Sequence, residues 1–194
     1  SNTAIGRKAL YTYEGGSGEG ENTAVGALSS FNLTTGEYNV SMGKGSYVNA
    51  TTGDNNVAIG HTAMGVGVVT GNANIGIGNV ALYDLTSGAN NIGVGQSALE
   101  NLTTGNLNTV VGQGAMATAT DVSNCVIIGT YAGDAINNTG ADGTVAIGRD
   151  SLTALTSGTG NTAVGYQSGG SITTGGYSTF IGHNTGLVHT TGGY

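Results

Sequence analysis

The sequence predicts an all-β fold, a parallel β-roll or β-solenoid of about eleven coils, and three observations carry that expectation. A short motif ending in glycine recurs along the whole chain. Apolar residues alternate inside each copy with a spacing of two. A second glycine recurs at a fixed offset from the first. The motif reads Asn-Thr-Ala-Val-Gly at 22–26 and again at 161–165, Asn-Thr-Ala-Ile-Gly at 2–6 and Asn-Val-Ala-Ile-Gly at 56–60. Looser copies close at Gly43, Gly78, Gly95, Gly112, Gly129, Gly148 and Gly182. The steps between closing glycines are 20, 17, 17, 18, 17, 17, 17, 19, 17 and 17 residues. A period near 17 sustained from end to end predicts one solenoid domain over residues 1–194, expected to be a segment of a longer fibre.

The first element of each coil is a short strand. The residue one before the closing glycine is Ile, Val or Met in all eleven copies, and the residue three before it is Thr, Val or Ile. Two positions two apart share one face of a strand. On size alone, that face, with Val25, Ile59, Ile147 and Val164, is expected to fill the coil. The intervening position is mostly small, as at Ala24, Ala58, Ala146 and Ala163. It is expected to form an outer face turned toward other chains. A strand apolar on both sides should be covered on both.

The residue that opens the motif is Asn in eight of the eleven copies, with Cys125, Thr144 and Ser178 in the others. Stacked identical amides predict a hydrogen-bonded ladder along the coils; deamidation or glycan attachment is the sharper but less favoured reading. After the closing glycine come apolar pairs such as Ala63-Met64, Ala81-Leu82 and Ala98-Leu99, then Leu-Thr-Thr-Gly or a variant, as at 33–36 and 102–105. Two glycines per coil predict two corners with positive φ, joined by a second short segment. An isolated coil buries too few side chains to offset the ordering of its backbone. Stacking and contact with further chains are therefore expected.

Composition narrows the function. Glycine supplies 38 of 194 residues, proline none, and charged residues 8%. Proline-free sequence suits stacked strands that need every backbone N–H. The net charge of −7, with Arg7, Lys8, Lys44 and Arg149 as the only Lys and Arg, argues against nucleic acid and against anionic membrane surfaces. No apolar run is long enough to insert in a membrane. The single Cys125 reads as a small stacked residue, since no His or acidic partner is near it in sequence.

The repeat resembles two related families. Asn-Thr-Ala-Val-Gly is similar to the Ser-Val-Ala-Ile-Gly motif of YadA-like heads of trimeric autotransporter adhesins. With Ala-Leu and Thr-Thr-Gly it looks still more like the repeats of phage tail fibres and related bacterial trimeric fibres. The resemblance covers nearly the whole chain. It implies a left-handed parallel β-roll, a homotrimer wound about one axis, and an extracellular, cell-surface or virion-tail location. It implies attachment to a cell surface, as receptor-binding head or rigid shaft, with no catalysis and no cofactor. The period departs from that of adhesin heads, which is shorter.

Recognition is expected where the spacing fails. The two candidate places are Tyr11, Tyr13, Glu14 and Glu19 in the first long step, and Tyr131, Asp134, Asn138 and Asp142 in the second. Aromatic and acidic side chains there could hold a cell-surface glycan or protein receptor. A calcium site from Asp134, Asn138 and Asp142 is a weaker reading, because the spacing matches no known loop. Tyr38, Tyr47, Tyr83, Tyr166, Tyr177 and Tyr194 are expected to pack at the rim. His61, His183 and His189 lack the grouping of a metal site. Two other classes compete. Val94–Leu99 fits the hexapeptide of left-handed β-helix acyltransferases, and recurrent Thr pairs invite an ice-binding reading.

Overall fold

The computed structural model describes residues 1–15 and 20–187. It holds one sheet of eleven parallel strands in sequence order. These are β1 (Thr3–Ile5), β2 (Thr23–Val25), β3 (Val40–Met42), β4 (Val57–Ile59), β5 (Ile75–Ile77), β6 (Ile92–Val94), β7 (Thr109–Val111), β8 (Val126–Ile128), β9 (Val145–Ile147), β10 (Thr162–Val164) and β11 (Thr179–Ile181). Equivalent positions pair without slip, as in Ile75↔Ile92, Gly76↔Gly93 and Ile77↔Val94. Each repeat is thus one turn of a parallel β-solenoid. At about 4.8 Å per strand the stack is roughly 50 Å long.

The faces of the strand are the reverse of the expectation. Ala24, Ala58, Ala146 and Ala163 are fully buried inside their own coils. Val25, Ile59, Ile147 and Val164 lie on the outer side, half-buried. The reason is volume. Leu82, Leu85, Leu99, Leu102, Leu152 and Leu155 enter from the opposite wall and fill the lumen. Little room is left for the strand's inner residue. At Gly76 an added Cβ would sit 3.0 Å from the Met64 methyl carbon, and at Gly93 it would sit 3.2 Å from Leu82 Cγ. Where the opposite wall instead carries Gly133 or Gly186, the strand supplies Ile127 or Phe180. In those two coils size is traded across the lumen, whereas at Gly169, in the coil of Ala163, Leu152 and Phe180 of the neighbouring coils fill the space.

Among the described residues the second wall holds no strand. Its second and fourth residues after the closing glycine adopt left-handed backbone, as at Val80 (φ 51°), Leu82 (φ 51°), Ser97 (φ 56°) and Leu99 (φ 54°). The alternation turns successive N–H groups in opposite directions. Val80 donates to His61 C=O in the coil before (3.1 Å), and Leu82 donates to Ala98 C=O in the coil after (3.0 Å). Every coil is stitched to both neighbours on this wall as well as through the sheet.

The corners divide the two glycines by cause. The closing glycines have φ near +130°, as at Gly26 (φ 131°), and a Cβ there would meet the Gly43 carbonyl oxygen at 2.5 Å. The second glycine is kept by contact alone in most coils: Gly36, Gly53, Gly88 and Gly105 do not share that positive φ. A Cβ on Gly88 would instead sit 2.5 Å from Gly105 C=O and 2.9 Å from Leu85. Positive φ at both corners, expected from the sequence, holds throughout for the first and at the second only in exceptions such as Gly158 (φ 126°).

The asparagine ladder is present. Asn74 Oδ1 accepts from the Asn91 backbone N–H (3.0 Å) and Nδ2 (3.1 Å), and Asn91 Oδ1 accepts likewise from Asn108 (3.1 and 2.9 Å). The remaining amide hydrogen reaches forward, from Asn91 Nδ2 to Gly105 C=O at 2.8 Å. These amides are fully buried, so each bond satisfies a group that has no water. The ladder lapses at Cys125 and Thr144, where Thr144 Oγ1 turns back to Ala141 C=O at 2.7 Å. Tyr47, expected at the rim, is fully buried, and its hydroxyl accepts from Asn56 Nδ2 at 2.7 Å and donates to Gly53 C=O at 3.2 Å.

Candidate interaction surface

With the alanine column inside, the sheet turns its larger side chains outward. The outer face carries two aliphatic columns, the β-branched residue that starts each strand and the Val, Ile or Met that ends it. In interior coils Met42 is 43% exposed, Ile77 37%, Val111 37% and Ile128 38%. Exposed apolar side chains gathered in columns of this kind mark a candidate interaction surface. Nothing within the described chain covers it.

One flank of the strip carries the positive charge. The residue after the closing glycine is Arg7, Lys44, His61, Arg149 or His183 in five coils, and Lys8 follows Arg7. Arg149 pairs with Asp150 (3.2 Å) and lies 5.8 Å from the Tyr166 ring centre, on which His183 stacks at 5.3 Å. His61 Nδ1 is 3.2 Å from Asn79 Oδ1. Neither histidine belongs to a metal cluster: among the described residues no group of three or more His, Cys, Asp or Glu could hold an ion.

The first irregular step is split by the structure. Tyr11 points outward, 62% exposed, and stacks parallel on Phe31 with ring centres 5.3 Å apart. Lys8 Nζ lies 5.1 Å from the Tyr11 centre and 5.7 Å from that of Phe31. Tyr13 turns inward against the core, and its buried hydroxyl has no partner among the described residues. Glu14 is exposed and uses its backbone N–H on Thr34 C=O (3.0 Å). Glu19 lies outside the described residues, as do His189 and Tyr194. Lys8 and Phe31 were not among the expected site residues. The repeat itself holds the signal: Tyr11 and Phe31 both stand five residues after a closing glycine, in successive coils.

The second irregular step is a tied corner. Tyr131 lies across Gly114, where an added Cβ would be 2.6 Å from its ring. A single 3-10 turn, Thr139–Ala141, follows Asn138, whose Oδ1 caps the Gly140 N–H at 2.8 Å. Asp142 Oδ1 accepts from Ser123 N–H at 2.9 Å. Burial raises the Asp134 carboxyl above its ordinary value. Two of the three residues considered for calcium thus each commit an oxygen to backbone. Cys125 is also a packing residue: burial pushes its thiol up to about 11, and Sγ faces the Ser123 and Ala141 carbonyls at 3.5 Å. A thiol so protonated is a poor nucleophile.

The chain matches no family model, no curated protein and no solved structure.

Proposed function

We propose that this chain is a segment of a homotrimeric extracellular fibre, of bacterial adhesin or phage tail-fibre kind, that serves in attachment to a cell surface. The observation that carries the reading is the aliphatic strip left uncovered on the outer face of the sheet. Three such strips turned to a common axis would bury one another, at roughly 1 kcal/mol for each half-exposed Val or Ile covered. The resemblance of the Asn-Thr-Ala-Val-Gly, Ala-Leu and Thr-Thr-Gly repeat to trimeric fibres supports the same count. The proposal places the fibre outside the cell or on a virion tail and assigns it no catalysis. Most of the chain serves as a rigid shaft. The exposed Tyr11 ring, backed by Phe31 and Lys8, is the place offered to a glycan or protein receptor, since sugar rings pack on aromatic faces while a cation holds their hydroxyls.

Native mass spectrometry tests the assembly. Three chains are expected, and Val94→Lys with Val111→Lys, on the strip, should release monomers. A stable wild-type monomer overturns the proposal. A glycan array on the trimer, with and without Tyr11→Ala, tests the receptor site.

A further inference from the structure

We infer that the Tyr11 site takes an acidic sugar, one that carries a carboxylate or a sulfate, at the end of a short neutral glycan chain laid along the stack. The inference rests on the receptor reading above and deepens it by naming the charge and the direction of the ligand.

Positive charge is scarce in this chain, and the site holds half of it. Arg7 and Lys8 are two of the four Lys and Arg in a chain of net charge −7. Both are exposed. Among the described residues neither pairs with a carboxylate, and the acids nearest in sequence, Glu14 and Glu21, form no ion pair with them. Lys8 instead has the stacked rings of Tyr11 and Phe31, with its Nζ 5.1 and 5.7 Å from their centres. The rings hold the ammonium without neutralising it. An anion that reaches it gains a charge-assisted hydrogen bond, and the sugar ring that bears the anion meets an aromatic face. Arg7 adds a second cation with five N–H donors.

The two rings begin a row. The position five after the closing glycine holds Tyr11, Phe31, Val48 and Tyr83 in the first, second, third and fifth coils. The fourth coil has Gly65 there, with Val66, 47% exposed, beside it. Backbone bonds keep the row aligned from coil to coil. Thr12 N–H donates to Phe31 C=O (3.2 Å), Asn32 N–H to Val48 C=O (2.9 Å) and Val66 N–H to Tyr83 C=O (3.0 Å). From Tyr11 to Tyr83 the row spans roughly 19 Å, the length of a short oligosaccharide. Its apolar side chains fit the uncharged faces of successive sugars. It ends in acid, since Glu100 takes the position in the sixth coil and Asp84 follows Tyr83. A row that runs from two cations to two acids favours a ligand charged at one end only. It stands on the wall opposite the sheet, so contact between chains through the aliphatic strip leaves it open.

A peptide fits this place less well. A strand-like peptide pairs through the N–H and C=O groups of a free edge. Here Phe31 C=O already accepts from Thr12 N–H and from Thr12 Oγ1 (2.8 Å), and Asn32 N–H is given to Val48. Ring faces and cations are what the surface offers.

The test is a glycan array probed with the full chain, each core printed in neutral, uronate-capped, sulfate-capped and wholly acidic forms beside an oligoglutamate peptide. A capped acidic form should bind about tenfold or more tighter than its neutral twin, and the margin should shrink in high salt. Either cap supports the inference, and the tighter one tells which anion is meant. Lys8→Gln should remove most of the margin, and Lys8→Arg should keep it. The wholly acidic form should bind more weakly than the capped one. Equal binding of neutral and capped forms overturns the inference and leaves a receptor site for neutral glycans. Preference for oligoglutamate over every sugar overturns it in favour of a protein partner. A wholly acidic form that binds as well as the capped one overturns the direction along the row. Absence of binding across the array overturns the inference together with the receptor reading beneath it.

Discussion

Asn91→Ala is the sharpest probe of what holds the stack together. The side chain takes part in four hydrogen bonds. Its Nδ2 donates to Asn74 Oδ1 and Gly105 C=O, and its Oδ1 accepts from the backbone N–H and Nδ2 of Asn108. Its own backbone N–H keeps Asn74 Oδ1 in the variant. Truncation therefore removes four bonds at a fully buried site and strands the Asn108 N–H, with no water to replace the partner. At about 1 kcal/mol net per bond, plus about 1–3 kcal/mol for the stranded donor, the loss is about 5–7 kcal/mol. Urea denaturation followed by far-UV circular dichroism measures it. Asn91→Ser serves as control, because a hydroxyl can still accept from Asn108. A loss below about 1 kcal/mol for Asn91→Ala would refute the ladder as a source of stability and leave the apolar lumen as the sufficient cause.

Three further outcomes are expected. Gly95→Ala should destabilise the fold by several kcal/mol in the same assay, because its φ is +133° and the new methyl would sit 2.5 Å from the Gly112 carbonyl oxygen. Cys125 should react with a maleimide at pH 8 only at the rate of unfolding, and immediate labelling of the folded chain would contradict its burial. Asp84→Asn should raise the melting temperature at pH 7 and lose that advantage near pH 3. Burial, and then the charge of Glu100, raise the Asp84 carboxyl, so the folded state holds its proton more tightly than the unfolded chain. Stability thus falls as pH rises above the ordinary value of 3.8, and below that value both states are protonated and nothing remains to relieve.

The period and the motif made most of the fold readable. Eleven aliphatic residues before eleven glycines required stacked strands, and a buried column of Asn required a ladder. Both faces of the strand are apolar, so side-chain size on the strand alone does not tell its inside from its outside. A better guide lies in the same sequence, one wall away: Ile127 stands opposite Gly133 and Phe180 opposite Gly186, which points to the intervening, mostly small position as the inner one. The second wall was illegible for another reason. Leu82 and Leu99 carry no propensity for left-handed backbone, and their conformation comes from the neighbours that accept their N–H groups. At the candidate receptor site, reading residues by local clustering joined Tyr11 to Tyr13, which the structure turns apart. Reading by column would have joined Tyr11 to Phe31.

The left-handed residues of the second wall have a kinetic consequence. Each such L-residue costs about 1–2 kcal/mol of backbone free energy unless its surroundings hold it. What holds Val80 is a carbonyl one coil back, and what holds Leu82 is a carbonyl one coil ahead. A coil therefore has no stable existence before its neighbour has formed. The chain should begin from a slow nucleus of a few coils and then extend by templating, each finished turn presenting the mould for the next. A synthetic peptide of one repeat should stay unstructured at any concentration short of aggregation, while a seeded chain should close its remaining turns quickly.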